Sequence, residues 1–523
     1  MKKLLLTLIV SFAFCGSIFA QYETHWPYVN LWEDHSDITA AIAIDGHVYT
    51  VDDEGWDALE VAFFVLNNGV EEIRGSGNFL DRENVDWYDD PYPITPGSVI
   101  RFTEPGETVY FKLYDHINQV EYSLCEVTYL GEPIEIVTGT DYLYAWNDEP
   151  PYDPVILNFK PITKDIPGYN GAEGGYYLIT SPVVDETTPS AENGFLTEEY
   201  DLYYFDQEQE LEWRNYKAGA FTVANGVGYL YASNSDTQLK FFGTPYSGDG
   251  TIELAYDDNA EIKGANLVGN PFLVAAAPDR DYYVMNDERT DVMTEPSTEL
   301  VPPMEGCFVF AENEGETVTF STEAKGENSL ITLNISSAGK VVDRAIVRFG
   351  QGRMLPKFQL NPNSTKIYVT LDGNDYAVVR SEDMGELPLS FKAERNGDYN
   401  MTLSTENVDF AYLHLIDNLT GADQDLLANP SYAFNASTTD YANRFRLVFA
   451  TGNNDETFAF FSNGSLFVNN EGIATLQVVD VTGRIIKSES INGCANVNID
   501  AAPGVYMVRL VNGDNIKVQK VVK

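Results

Sequence analysis

The sequence predicts an all-β protein made of tandem β-sandwich domains. Short segments with β-branched and aromatic residues at alternate positions recur along the chain, separated by Asn-Gly, Thr-Gly and Pro-Gly pairs. Tyrosine and phenylalanine are abundant, with 32 and 29 copies, whereas helical periodicity is scarce. We predict a signal peptide (1–20), an acidic β-sandwich module (21–155), an internally duplicated β domain (156–325), a β-sandwich stalk domain (326–452) and a small Ig-like sandwich (453–523).

The net charge is strongly negative and unevenly distributed. Asp and Glu number 80 against 32 Lys and Arg, which gives a formal net charge of −48. Residues 21–160 hold 28 acidic and 5 basic residues, whereas residues 456–523 hold 6 of each. Such a field repels nucleic acids and anionic membranes, so neither is expected as a partner. It suits Ca²⁺ binding or simple solubility outside the cell.

The N-terminal segment predicts secretion. Lys2 and Lys3 precede an apolar run that begins at Leu4 and ends in small residues near Ala20. This is the pattern of a secretory signal peptide, with cleavage before Gln21. A transmembrane helix is the competing interpretation, but the apolar run is short for one. We therefore expect passage through the Sec route to the periplasm and no transmembrane helix in the mature chain.

Two loops of the predicted first domain concentrate carboxylates. The candidate calcium ligands are Asp52, Asp53, Asp57, Asp86, Asp89 and Asp90. Oxygen ligands at this density are what Ca²⁺ requires. Neither loop has the Asp-x-Asp-x-Asn-Gly spacing of a dedicated calcium loop, so the sequence favours the alternative of solvated acidic loops. No other cofactor is expected.

Three tryptophans near these acids, Trp32, Trp56 and Trp87, are candidate glycan-binding residues. An exposed indole face stacks on the apolar face of a sugar, and a carboxylate accepts protons from the sugar hydroxyls. The alternative for each is a place in a hydrophobic core, which is the commoner role of tryptophan.

The second domain contains an internal duplication. Residues 175–182 (GYYLITSP) align without a gap to residues 264–271 (GANLVGNP), and residues 229–232 align to residues 308–311. Each half has the order strand, Ser/Asn-Pro turn, long loop, strand, loop, strand. Because one half is too small to bury its apolar face alone, we predict one pseudo-symmetric β domain.

Catalytic motifs are scarce. The sequence has five histidines and no His-Glu-x-x-His arrangement, no Gly-x-Ser-x-Gly elbow and no phosphate-binding loop. Three cysteines follow the signal peptide, in three different predicted domains, so neither a disulfide framework nor a cysteine metal site is expected. A carboxylate pair of the glycosidase type in the first domain stays open, since 80 acids offer many pairs.

The end of the chain carries ordered motifs. Residues 474–484 read ATLQVVDVTGR, residues 503–509 read PGVYMVR, and a lysine-rich end follows. These motifs resemble the type A C-terminal sorting domain of the type IX secretion system, a tag on secreted proteins of Bacteroidetes-type bacteria. The resemblance implies recognition by outer-membrane secretion machinery and delivery outside the cell. The residues that match the family motifs are Asp480, Gly483, Arg484, Gly504, Tyr506 and Lys520.

Local roles for some of these residues compete with recognition. Gly483 and Gly504 lie where turns favour glycine whatever the function. Asp480 and Arg484 flank a Val-Thr-Gly turn, so they are placed to pair with each other. Segments upstream of the tail resemble recurrent β modules of Bacteroidales secreted proteins, a resemblance that implies no catalytic role.

Two functions follow from the sequence. The first is a non-enzymatic secreted or surface-anchored protein for adhesion or glycan binding, with glycans or host surface proteins as partners. The alternative is a polysaccharide-degrading glycoside hydrolase with its carboxylate pair in the first domain.

Overall fold

The computed structural model describes residues 24–27, 34–38, 40–50, 52–67, 70–78, 98–102, 104–142, 155–207, 209, 212–323, 329–382, 384–451, 458–462, 464–513 and 515–523. In these residues the regular structure is β-strand throughout, apart from one turn of 3-10 helix at Trp56–Ala58. The all-β prediction is confirmed. The predicted signal peptide lies outside the described residues.

The chain divides into two compact units. The first comprises Met1–Lys164, Val183–Thr187 and Lys240–Pro245, and the second comprises Asp165–Pro182, Thr188–Leu239 and Tyr246–Lys523. Strands β13 (Ile162–Ile166) and β18 (Thr237–Phe241) each include residues of both units.

The first unit is a two-layered sandwich. Its strands are β1 (His35–Ile38), β2 (Ala40–Ile44), β3 (His47–Val48), β4 (Leu59–Asn67), β5 (Val70–Asn78), β6 (Ser98–Arg101), β7 (Thr108–Asp115), β8 (Val120–Tyr122), β9 (Cys125–Tyr129), β10 (Glu132–Pro133), β11 (Ile136–Val137) and β12 (Val155–Phe159). One large sheet has the order β10-β9-β12-β2-β3, and the other has the order β11-β7-β4-β5 with β8 beside β7. Strands β1 and β6 pair with each other as a separate two-stranded sheet. The buried core includes Ile42 and Leu157 from the first sheet and Phe63 and Phe111 from the second.

The duplicated region of the second unit contains two four-stranded sheets of the same strand order, and β19, β25 and β21 form a further three-stranded sheet. Its strands are β14 (Tyr177–Ile179), β15 (Tyr200–Phe205), β16 (Trp213–Asn215), β17 (Tyr229–Ser233), β19 (Thr251–Glu253), β20 (Ala265–Gly269), β21 (Ala277–Pro278), β22 (Tyr282–Met285), β23 (Val292–Glu295), β24 (Gly306–Phe310) and β25 (Thr317–Ser321). The sheet orders are β14-β17-β15-β16 and β20-β24-β22-β23. The structure therefore shows the internal duplication.

The two halves meet through equivalent positions. Ile179 bridges to Glu305, and Val268 bridges to Val227. The Asn225 side-chain amide donates to the carbonyl of Ser181 at 2.8 Å and to that of Pro271 at 3.0 Å, so it joins the turns of both halves.

The predicted alignment of the second segment is shifted by one residue. Tyr229 lies opposite Ile179, whereas Cys307 lies opposite the equivalent Val268. Phe308 is therefore equivalent to Leu230 in the first half, not to Tyr229. Both side chains pack into the same core, on the other face of their sheets.

The region that follows forms one eleven-stranded sheet that encloses a core of its own. Its strands are β26 (Leu330–Ser337), β27 (Lys340–Phe349), β28 (Leu355–Pro356), β29 (Lys366–Leu371), β30 (Asn374–Ser381), β31 (Met384–Lys392), β32 (Gly397–Glu406), β33 (Phe410–Asp417), β34 (Ala422–Asp425), β35 (Ser431–Ala436) and β36 (Phe445–Thr451). The order is β34-β33-β36-β31-β29-β30-β27-β26-β32-β35, with β28 beside β30. We call this region the sandwich.

The sandwich and the duplicated region share a second core. Strand β27 is buried on both faces: Val347 faces the interior of the sandwich, and Ile346 packs with residues of the duplicated region. The rings of Phe308 and Phe358 lie 4.9 Å apart, and the Phe358 amide donates to the Tyr283 hydroxyl at 3.1 Å. A strand with two apolar faces requires cover on both sides, and the duplicated region supplies the second cover.

A buried ion pair fixes one end of the sandwich. The Arg444 guanidinium donates to Asp417 through Nε at 3.2 Å and Nη2 at 2.9 Å, and it lies over the ring of Phe434. The Tyr432 hydroxyl donates to the same carboxylate at 3.0 Å. Burial acts to raise the pKa of Asp417, but the hydrogen bonds from Arg444 and from the Leu419 amide outweigh it, so the pKa lies below its usual value.

The chain ends in a small two-layered domain, residues 458–523, which we call the tail. Its strands are β37 (Ala459–Ser462), β38 (Ser465–Val468), β39 (Ile473–Asp480), β40 (Ile485–Asn492), β41 (Ala495–Asn498), β42 (Val505–Asn512) and β43 (Asn515–Val522). A three-stranded sheet, β37-β38-β41, packs on a four-stranded sheet, β40-β39-β42-β43.

No helix in the described part of the chain is long and apolar enough to cross a membrane. Cys125, Cys307 and Cys494 are free thiols. Burial raises the pKa of Cys125 and Cys307, which keeps both thiols protonated at neutral pH.

We predict that Arg444→Ala lowers the free energy of unfolding of the sandwich by about 3–5 kcal/mol, because it leaves the Asp417 carboxylate buried without its cation. Urea denaturation measures this loss. Arg395→Ala is the control, since the Arg395 side chain is 68% exposed and its ion pairs lie at the surface. We expect that control to cost less than about 1 kcal/mol. Equal losses for the two variants would contradict the prediction.

Candidate functional site

The turn between β39 and β40 is held by the side chain of Asp480. Its Oδ1 accepts hydrogen bonds from the Thr482 amide at 2.9 Å, the Thr482 hydroxyl at 2.6 Å and the Arg484 amide at 3.0 Å. Its Oδ2 accepts from Arg484 Nε at 3.1 Å. The predicted pairing of Asp480 with Arg484 is present, and the turn needs no outside partner to form.

These hydrogen bonds lower the pKa of Asp480 to about 2, with the Thr482 hydroxyl as the largest cause and the Arg484 amide next. A carboxylate with a lowered pKa stabilises the folded state at every pH above its unfolded value near 3.9. That stabilisation is lost as the pH falls through about 2. At neutral pH the Asp480 carboxylate therefore makes its full contribution to the stability of the turn.

The two motif glycines differ in whether the backbone conformation at their position favours glycine. Gly483 has φ +86°, a left-handed conformation that costs other residues free energy. Gly504 has no such conformation, and a Cβ there meets its nearest neighbours only at ordinary contact distance, 3.9 Å. Contrary to the expectation, the geometry at Gly504 does not demand glycine, and its backbone exchanges hydrogen bonds with that of Lys523 at 3.1 and 2.9 Å.

Tyr506 and the last lysine fix the end of the tail. Tyr506 is buried, and its hydroxyl donates to the carbonyl of Ala502. The Lys523 ammonium donates to the carbonyls of Ile499 and Ala501, both at 2.6 Å. Lys520, in contrast, is exposed on β43 and points to the other face of its sheet. The six motif residues therefore do not form one cluster.

The tail packs against the sandwich. The rings of Phe467 and Tyr412 lie 4.1 Å apart, and the Asn469 side chain donates to the Thr451 carbonyl at 3.3 Å. Cys494 Sγ lies 3.6 Å from the Ala411 carbonyl oxygen. Burial raises the pKa of Tyr412 to about 12. The tail is therefore docked on the preceding domain.

Trp56 is not an exposed stacking platform. It lies on the 3-10 turn with 6% of its surface exposed and belongs to the core of the first unit. The core role that the sequence allowed is the one the structure shows. Trp32 and Trp87 lie outside the described residues, so glycan binding through them stays a prediction.

In the acidic loop beside Trp56, the Asp53 carboxylate is held by local hydrogen bonds. Asp53 accepts hydrogen bonds from the Thr50 amide at 2.7 Å and the Thr50 hydroxyl at 2.8 Å, and the Thr50 amide is the largest cause of its lowered pKa. Among the described residues no group of three or more His, Cys, Asp or Glu is placed to hold a metal ion. Calcium binding that joins Asp52, Asp53 and Asp57 to the second acidic loop stays a prediction. Asp86, Asp89 and Asp90 lie outside the described residues.

A buried carboxylate in β4 escaped the sequence analysis. Glu60 is fully buried, and it accepts hydrogen bonds from the amides of His25 and Trp26 at 2.8 and 3.1 Å. The His116 ring lies 2.8 Å from the same carboxylate. The His25 ring stacks on Tyr114, with centroids 3.7 Å apart. The sequence signal for a buried carboxylate is a glutamate inside the apolar run LEVAFFV. The Glu60 carboxylate anchors residues 25–26 on the sheet.

We predict that Thr482→Val raises the pKa of Asp480 from about 2 toward the usual value near 3.9, because valine keeps the shape of threonine but cannot donate the 2.6 Å hydrogen bond. The side-chain carboxyl resonance of Asp480, followed by NMR against pH, gives the value. Thr475→Val, on the opposite face of β39, is the control and leaves the pKa at about 2. An unchanged pKa in Thr482→Val would show that the hydroxyl does not hold the carboxylate.

Comparisons with known proteins identify the tail. Residues 462–523 match the family described as "Secretion system C-terminal sorting domain". No curated protein matches the sequence. One similar solved structure is "Biofilm associated protein - BSP domain", with 8% sequence identity. The match covers 97% of this chain and 98% of that chain, and its TM-score of 0.16 is too low to support an argument. The family match confirms the resemblance that the motifs predicted and indicates export by the type IX secretion system.

Proposed function

We propose that this protein is a non-enzymatic adhesion protein, delivered to the cell exterior by the type IX secretion system through its tail. The observation that carries the proposal is the tail itself, a family-matched domain whose Asp480 turn forms by its own hydrogen bonds. The Sec signal peptide at residues 1–20 supplies the first step, transfer to the periplasm.

The first unit supports a protein partner. Leu66 near the end of β4 and Val70 at the start of β5 are each 63% exposed, and Leu130 at the turn before β10 is 64% exposed. Exposed aliphatic side chains suit contact with another protein better than hydrogen bonding to a sugar. The burial of Trp56 removes one of the three proposed sugar platforms. Glycan binding through Trp32 and Trp87 remains part of the proposal.

Deleting residues 456–523 tests the export step. We predict that the truncated chain folds but stays in the periplasm, because it keeps the cores of the first unit, the duplicated region and the sandwich and lacks the export domain. Cell fractionation with immunoblotting gives the location, and resistance to protease shows that the chain is folded. The full-length chain in the same strain is the control. Normal delivery of the truncated chain to the cell surface would contradict the export role.

The same two strains test adhesion. Cells that produce the full-length chain should adhere to a panel of immobilised glycans and extracellular-matrix proteins, assayed with and without Ca²⁺. Cells with the truncated chain should lose that adhesion. Equal adhesion by both strains, with export of the full-length chain established, would reject adhesion and leave export in place.

A further inference from the structure

The four-stranded sheet of the tail has one covered face and one uncovered face. Alternate side chains, such as Leu476, Val508 and Val521, point into the core beneath the three-stranded sheet. The intervening side chains point the other way. On each strand these outward-pointing side chains occur at every second residue. The first of them is Ile473 in β39, Val505 in β42, Ile516 in β43 and Ser488 in β40. We call this the open face, since the described residues place nothing over it.

The open face is rich in exposed aliphatic side chains. Ile473 and Val522 are each 67% exposed, Ile516 is 50% exposed and Val518 is 49% exposed. An antiparallel sheet with one solvated face normally carries polar side chains on that face. Apolar side chains that the described residues leave exposed on one face of a sheet indicate an interaction site.

The charge of the open face is opposite to that of the chain. All residues of β39, β40, β42 and β43 are described, and the open face carries no carboxylate among them. Its charged residues are Arg509 and Lys520, although the whole chain holds 80 acids against 32 bases. The carboxylates of these strands, Glu489 and Asp480, lie on the covered side, opposite Leu476 and Tyr506. Salt limits charge effects to about 8 Å, so a bound partner meets this local positive charge.

The centre of the face has the composition of an interface core. Met507 and Arg509 lie on β42, an inner strand of the sheet, with Val479 and Gln477 opposite them on β39 and Lys520 and Val518 opposite them on β43. Arginine and methionine are enriched at the cores of protein interfaces, and Asp and Glu are depleted there. An arginine among aliphatic residues is a typical centre of binding energy.

We propose that the open face is the surface by which the tail binds the secretion machinery, and that the machinery presents an apolar patch with carboxylates placed to meet Arg509 and Lys520. This inference rests on the proposed export function and adds the binding surface and the chemistry of the partner. The Asp480 turn, at one end of the same sheet, keeps β39 and β40 in register and therefore supports the face.

Two other occupants fit less well. A second copy of this chain, bound about a two-fold axis, brings the same face against itself and sets Arg509 and Lys520 against like charges. An anionic lipid surface is attracted by clusters of about 4–8 basic residues, whereas this face has two.

The test is export of full-length Arg509→Glu and Val518→Asp variants in a host with a type IX system. We expect each variant to reduce the secreted fraction at least tenfold. The double variant Asn496→Glu/Asn498→Glu is the control, because it changes the net charge by the same amount as Arg509→Glu but on exposed positions of β41 in the other sheet. We expect its secreted fraction to stay within twofold of the unmodified chain. Equal thermal unfolding of the purified full-length chains shows that the variants fold.

Failure of this inference is distinguishable from failure of the export function. If removal of residues 456–523 blocks export but both face variants are secreted normally, the open face is not the binding surface and the export role stands. If the chain without the tail is also secreted, both are wrong.

The other occupants are checked on the purified full-length chain. We expect a monomer in sedimentation and no flotation with phosphatidylglycerol vesicles. A dimer that Arg509→Glu dissociates, or vesicle binding that Arg509→Glu abolishes, would overturn the proposal in favour of that occupant.

Discussion

The second unit depends on one constraint: each of its sheets has an apolar face that another sheet must cover. A half of the duplicated region cannot satisfy this constraint alone, so the halves join through Val227–Val268 and Ile179–Glu305. Their other faces then pack on the sandwich, where Phe308 meets Phe358 and where β27 is buried on both sides. Hydrophobic burial of this kind is the main favourable term in folding, so these regions are expected to stabilise one another.

In the tail, the four-stranded sheet has two faces with apolar side chains, and the three-stranded sheet covers one of them. Its two sheets share a core, and Phe467 adds a contact with Tyr412 of the sandwich. The described part of the chain supplies no such cover for the open face, and Arg509 and Lys520 lie among its aliphatic residues. An export domain has to remain recognisable after the cargo has folded, and an uncovered apolar face with local positive charge on an acidic protein meets that requirement.

The sequence was most informative where structure is local. The small sandwich predicted at the end of the chain is present, with seven short strands from Ala459 to Val522, because alternation and turn glycines define short strands well. The pairing of Asp480 with Arg484 followed from their spacing around a tight turn. The duplication was also visible, since the GYYLITSP and GANLVGNP segments repeat the same strand and turn.

Features that depend on distant residues were not predictable. The alignment of Tyr229 with Phe308 relied on aromatic character, but the choice of face depends on a core built partly from Phe358, far along the chain. The burial of Trp56 depends on two sheets that close over it. Glu60 lies in an apolar strand, and nothing local indicates that the amides of His25 and Trp26 satisfy its carboxylate. The alternation in β42 separates Met507 and Arg509 from Val508 and Leu510, but it does not indicate which of the two sets faces the core.

The central claim is that the tail carries the export information by itself. Joining residues 453–523 to an unrelated, stably folded periplasmic protein tests this most directly, with cell fractionation as the measurement. The account predicts that the fusion protein appears outside the cell while the same protein without the tail stays in the periplasm. Retention of a correctly folded fusion protein in the periplasm would contradict it.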